Sequence, residues 1–224
     1  MIDREREPLM EFSQVINRRH SVRDFTDQPV AREDLLDIAR AALTAPSWVN
    51  SQPWRIYIAT GTSLADIKAR HREHVDAGDG GHSDFPVMHR TDWSPVAQAN
   101  MAGLGAQIGE YFGDEGRAFA ASQSRLFNAQ AIAYLTVPVG SSQWSIHDLG
   151  GLSMTLVLAA FDQGLGAINA YELVKYPDDV RRVMGISNQE LLAVGVALGY
   201  PADNKLGTFA PAHVKVDEVV TLKD

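Results

Sequence analysis

"SIHDLGGLSMTLVLAAFDQGLG", residues 145–166, carries apolar side chains on nearly every face of a helical projection and closes on Gly164, where a left-handed cap is wanted. A helix without a polar side has to be surrounded, so this segment predicts the centre of a domain. Its neighbours in sequence supply the surroundings. "NAQAIAYLTVPVG" (128–140) and "LLAVGVALGYP" (191–201) read as short buried strands, and "YPDDVRRVMGI" (176–186) as a helix that opens with Pro177 in its first turn and stops at Gly185.

Nearer the N-terminus, "DQPVAREDLLDIARAALTAP" (27–46) repeats Leu35, Ile38, Ala39, Ala42 and Leu43 at helical spacing, and Pro46 ends it. "WRIYIATG" (54–61) sets Ile56 and Ile58 against Arg55 and Tyr57, the alternation of a strand with two different faces. Residues 73–95 show no period and predict a long loop. From Pro95 one helical face runs through Val96, Asn100, Gly103, Leu104, Gln107, Ile108, Tyr111 and Phe112, and the tail "VKVDEVV" (214–220) reads as one more strand. With no linker, repeat or low-complexity tract, residues 1–224 predict a single α+β domain.

Composition narrows the function. The chain has 224 residues, 45% of them hydrophobic, a formal net charge of -8 and no cysteine. That charge argues against a nucleic-acid or anionic-membrane binder, and the missing thiols exclude disulfides, iron–sulfur clusters and cysteine nucleophiles. The start, "MIDREREPLMEF", lacks the apolar core of a secretion signal, and the longest apolar run is about half what a membrane span needs. A cytoplasmic protein is expected.

Several motif-like stretches fail on spacing. "GLGAQIG" (103–109) lies in a helical pattern and not after a strand, so it is no dinucleotide fingerprint. His71 and His74 of "HREH" stand one turn apart but lack a third ligand and read as a solvated helix face; no metal is expected. "DAGDGGHSD" (76–84) resembles a calcium loop in composition only, and Ser153 in "GLSMT" lacks the second glycine of a nucleophile elbow.

Two stretches remain. "NRRHSVRDF" (17–25) sets Arg18, Arg19, His20, Ser21 and Arg23 in one turn, the forks and hydroxyl that a phosphate wants. "APSWVNSQPWR" (45–55) surrounds an indole with Pro, Ser, Asn and Gln, a loop suited to the polar edge and flat face of a heterocycle. The first could equally be a solvated basic turn, and the second a buried turn whose amides satisfy its own backbone.

These stretches resemble the motifs of the FMN-dependent nitroreductases. "RRHSVRDF" looks like that family's first flavin motif and "APSWVNSQPW" its second, at Pro46, Ser47, Asn50, Ser51, Gln52, Pro53 and Trp54. The late block resembles the family through Asp148-Leu149-Gly150, Ala159-Ala160, Gly164-Leu165-Gly166 and 197–201, with the likeness leaning to the nitrobenzoate-reducing subgroup.

The resemblance implies an α+β sandwich, a mainly antiparallel sheet flanked by helices, in an intertwined homodimer whose C-terminal extensions add strands to the partner's sheet. It implies FMN in the dimer interface, with Arg19, His20, Ser21 and Arg23 from one subunit, Pro46, Ser47, Trp48, Asn50 and Gln52 from the other, and Asn169, Ala170 and Tyr171 near the reactive edge. Arg23 is expected to face the charge that reduced FMN carries, and a backbone N–H near Tyr171 to face N5; Arg23 and Tyr171 are the expected catalytic positions. The tail after residue 201 has no arginine, and Ala210 stands about where a family arginine is expected, so Lys205 is the expected phosphate cation. The implied activity is two-electron, ping-pong reduction of nitroaromatics, quinones or related small aromatic acceptors by NADH or NADPH. Two other readings stand beside it: a flavin-storing or flavin-sensing protein without turnover, and a superfamily member with a non-nitro substrate.

Overall fold

The computed structural model describes residues 11–223; the charged start, Met1–Met10, lies outside them. In chain order the elements are α1 (Phe12–Arg18), α2 (Arg32–Ala42), β1 (Arg55–Ala59), α3 (Gly61–Asp76), α4 (Pro95–Phe112), α5 (Gly116–Ser124), β2 (Ala131–Pro138), α6 (Gln143–Asp162), β3 (Gly166–Asn169), α7 (Pro177–Met184), β4 (Glu190–Gly199), and two one-turn helices, α8 (Lys205–Thr208) and α9 (Val216–Val219). The strands form one antiparallel sheet in the order β1-β2-β4-β3.

Each face of the sheet has its own core. On one side Leu35 and Ile38 of α2 and Leu149, Leu152 and Leu156 of α6 pack on Ala131, Ala133 and Leu135 of β2. On the other, Leu64 and Ile67 of α3 and Val180 of α7 pack on Ile132 and Tyr134, the alternate positions of the same strand. A strand buried on both faces needs no polar alternation, which is why 128–140 reads as a continuous apolar run. α6 is the central helix expected, and α7 opens on Pro177 and ends at Gly185 with φ 66°.

Three expectations change. The segment 73–95 is loop only from residue 77, because α3 runs on to Asp76. "HREH" does not face solvent: His71 is buried, and His74 lies between Asp79 (2.8 Å) and Asp179 (2.7 Å), stacked on Tyr176. The helix read from Pro95 is α4, and its Leu104, Ile108 and Phe112 pack against Phe119, Leu206 and Phe209. The tail forms the helical turn α9 where a strand was expected, since no sheet edge of its own chain pairs with it. Leu43, counted on the buried face of α2, is exposed beyond the helix end, and β3 went unread because it is four residues long.

The loop after α3 is fastened by polar contacts. The Tyr176 hydroxyl donates to the Asp79 carbonyl (2.8 Å), Lys175 O accepts from His82 N (2.9 Å), and Asp84 takes a two-pronged contact from Arg181 as well as the Leu192 N–H. Gly81 fits there because a Cβ would lie 2.6 Å from Lys175 Cγ at a φ of +66°. Asp84→Ala strands a buried guanidinium and an N–H together, and is expected to cost about 3 kcal/mol of stability, read from the urea midpoint. An unchanged midpoint would show that the loop is not held there.

Candidate active site

The first motif runs along the open edge of β3. Ser21 bridges Ala167, Val22 N–H donates to Ala167 O (3.1 Å) and Arg23 N–H to Leu206 O (3.0 Å). Val22 and Phe25 point inward and are buried, which turns Ser21 and Arg23 to the opposite side. His20 clamps the motif to the tail: Nε2 meets Gly207 O at 2.8 Å and Nδ1 meets Arg18 O at 3.0 Å. Glycine at 207 lets the turn close on Ala202, whose carbonyl oxygen would lie 2.0 Å from a Cβ there. The Lys205–Thr208 turn therefore sits against the basic loop, capped by Asn204, while Lys205 itself ion-pairs with Glu115 at 2.8 Å.

Arg23 is the unusual cation. Its guanidinium lies over the rings of Phe119 (5.2 Å) and Phe209 (5.4 Å) and donates to Ser21 O (2.9 Å). Among the described residues no carboxylate is in salt-bridge contact with it, and burial pushes its pKa down. With Ile168, Ala170, Tyr171 and Glu172 it lines a cavity of about 230 Å³. A half-desolvated positive charge in a cavity favours an anionic guest.

The backbone at the end of β3 divides two cavities. Ala170 and Tyr171 line the one just described and also a second, of about 320 Å³, walled by Phe85, Pro86, Val87, Val174 and Val194. Asn169 is anchored by its Nδ2 donating to Ser153 Oγ at 2.8 Å, the role found for that serine. Tyr171 is partly exposed.

The second motif lies elsewhere. Val49, Asn50 and Gln52 all have positive φ (51°, 57°, 43°), a conformation costly for side chains other than glycine. Polar contacts hold it: Ser47 Oγ accepts from Gln52 N (3.0 Å), Gln52 Nε2 donates to Asn50 Oδ1 (2.9 Å), and Trp48 N–H donates to the buried Asp148 carboxylate (2.8 Å). The Trp48 and Trp144 rings lie 5.0 Å apart, leaving Trp48 58% exposed. Asp148 and Trp144 belong to the start of α6, whereas His20 meets Phe161 at its end. The thirteen helical steps from Asp148 to Phe161 span about 20 Å. One chain thus gathers His20, the backbone of Arg23 and the Lys205–Thr208 turn near the end of α6, lines a cavity with Arg23, Ala170 and Tyr171, ties Asn169 to Ser153 midway along the helix, and holds the Pro46–Gln52 loop at its start.

Sequence reading missed Phe119, Phe209 and Glu172. Phe119 and Phe112 are seven residues apart, two helical turns, which was the available signal for a shared aromatic cluster; with Phe209 and Leu206 they form a third small core.

The sequence pattern of the Nitroreductase family matches residues 16–200. Nitroreductase NfnB of Mycolicibacterium smegmatis is 27% identical over 211 residues, 88% of this chain and 87% of that protein. The 4-nitrobenzoate reductase of a Nocardioides strain is 25% identical over 219 residues, 94% of this chain and 89% of its own length. A crystal structure of the FMN and NADPH-dependent nitroreductase NfnB from Sphigopyxis sp. strain HMH superposes with a TM-score of 0.86 at 24% identity, covering 96% of this chain and all of that one, and confirms the fold.

Removing the Asp148 acceptor should free the Trp48 loop. Asp148→Ala is expected to abolish most of the Trp48–Trp144 exciton signal in circular dichroism and to cost about 1–3 kcal/mol, while Asp148→Asn keeps an acceptor and most of the signal. A couplet unchanged in Asp148→Ala would place the anchor elsewhere.

Proposed function

The chain belongs to the nitroreductase family, and from that premise we propose that it is an FMN-dependent oxidoreductase that reduces small aromatic acceptors, nitroaromatics or quinones, with NADH or NADPH. The observation that carries this reading is Arg23, a desolvated guanidinium with no carboxylate in salt-bridge contact among the described residues, lining a cavity together with Ala170 and Tyr171. The donors present suit FMN: Arg19, His20, Ser21 and Lys205 gather at one end for a phosphate, and Arg23 lies further along for the ring.

Bound FMN would supply the redox chemistry, taking hydride from the nicotinamide and passing two electrons to the acceptor. The chain's residues have narrower tasks. Arg23, kept from water by Phe119 and Phe209, holds positive charge where reduction builds negative charge, which favours the reduced form. The Tyr171 backbone N–H would hold the reactive edge, and the Asn50 and Gln52 amides, with Trp48, would supply polar contacts and a flat cover to bound FMN. None of these steps needs a side-chain base.

The site is completed by a second copy. The basic loop and the Trp48 loop sit at opposite ends of α6, and the exposed side of that helix carries His147, Gly150, Gly151 and Met154. Two α6 helices crossing about a two-fold axis would bring the Trp48 loop of one chain to the Arg23 loop of the other. The exposed tail side chains Val214, Val216, Val219, Val220 and Leu222 supply the apolar surface for an exchanged arm. We read residues 1–224 as one FMN-binding domain, working in the cytoplasm as a homodimer; no helix among the described residues is long and apolar enough to cross a membrane.

The test is anaerobic. Protein loaded with FMN should bleach on adding NADH or NADPH and regain colour with a nitroaromatic. Arg23→Gln should lower the two-electron midpoint potential by about 30–60 mV and slow bleaching, with a smaller loss of FMN affinity. A protein that binds FMN yet never bleaches would be a storage or sensor protein.

A further inference from the structure

Glu172 is the single carboxylate among the residues that line the Arg23 cavity. Two cationic or donor groups hold one of its oxygens: His71 Nε2 and Lys175 Nζ each lie 3.3 Å from Oε1. His71 comes from α3 and is buried, so this contact fixes the side chain from behind. Oε2 has no hydrogen-bond partner among the described residues. Burial alone would raise the carboxyl pKa, but the close approach of His71 Nε2 and the Lys175 charge outweigh it and hold the group below the usual range, so it is ionised at neutral pH. A largely buried carboxylate with an open oxygen calls for a donor from whatever fills the cavity.

The flavin ring offers one. Its pyrimidine edge presents a carbonyl, the N3–H and a second carbonyl, acceptor–donor–acceptor. Arg23 can serve only the acceptors, because a guanidinium has no lone pair to give. We propose that Oε2 of Glu172 accepts the flavin N3–H, so that Arg23 and Glu172 together recognise the imide edge; the proposal rests on the flavin reading above. The pair explains why a carboxylate stands in a cavity built for an anion: it answers the one donor on that edge. It also makes Glu172 a specificity residue, rejecting ring systems that are alkylated at N3.

The experiment titrates apoprotein with FMN and with 3-methyl-FMN by flavin fluorescence. Wild type is expected to bind 3-methyl-FMN about 10- to 100-fold more weakly than FMN, and Glu172→Leu to bind FMN more weakly and the two flavins within about threefold of each other. Because the leucine variant can misfold, wild-type protein carrying FMN labelled with nitrogen-15 at N3 gives a second reading: the N3 proton should be shifted downfield and exchange slowly with water. Equal affinity of wild type for both flavins, discrimination that persists in Glu172→Leu, or an N3 proton in free exchange would each overturn the assignment of Glu172 alone. Wild-type protein that binds neither flavin would overturn the flavin reading and this inference with it.

Discussion

A rigid helix keeps two loops apart. Asp148, near the start of α6, takes the backbone N–H of Trp48, and Phe161, near its end, meets the His20 ring. The helix cannot shorten, and its inward face is locked by Leu149, Leu152 and Leu156 against the sheet. The Trp48 loop and His20 of the basic loop are therefore anchored about 20 Å apart along one helix. The placement of the basic loop beside β3, the exposed side of α6 and the unpaired tail acquire a common reason if the ring lies between two copies.

At the charged end the chemistry is set by desolvation. Arg23 gives up water to lie over the rings of Phe119 and Phe209, and among the described residues no acidic side chain is in salt-bridge contact with it. Such a group contributes little to stability of the isolated chain and much to binding a guest whose charge grows during reaction. The opposing carboxylate, Glu172, is spent on His71 and Lys175, so its charge is already partly answered and does not cancel that of Arg23. Tying His20 and Arg23 to the Leu206–Gly207 backbone further makes the tail part of the site although it carries no arginine.

The sequence made the interior legible and the periphery less so. α6, α7 and β2 announce themselves because burial on all sides, a Pro–Gly frame and a double-faced core each leave a local mark on composition. His71 was misread because its partner Glu172 is a hundred residues away and nothing in "HREH" reports it. The tail was misassigned for another reason: its alternating valines suggest a strand, but no sheet edge among the described residues pairs with it and Val216–Val219 form a helical turn. The flavin motifs could be recognised as stretches, but that they occupy opposite ends of one helix is a fact of three-dimensional packing only.

The division of the site between two chains is tested most directly by complementation. Arg23→Glu and Asn50→Glu chains, each expected to bind no FMN as homodimers, would be co-expressed with different tags. Half of the dimers would be mixed, each with one doubly altered and one intact site, so about a quarter of wild-type FMN binding and NADPH-driven turnover should return. Recovery of neither would contradict a shared site and place the whole flavin pocket within one chain.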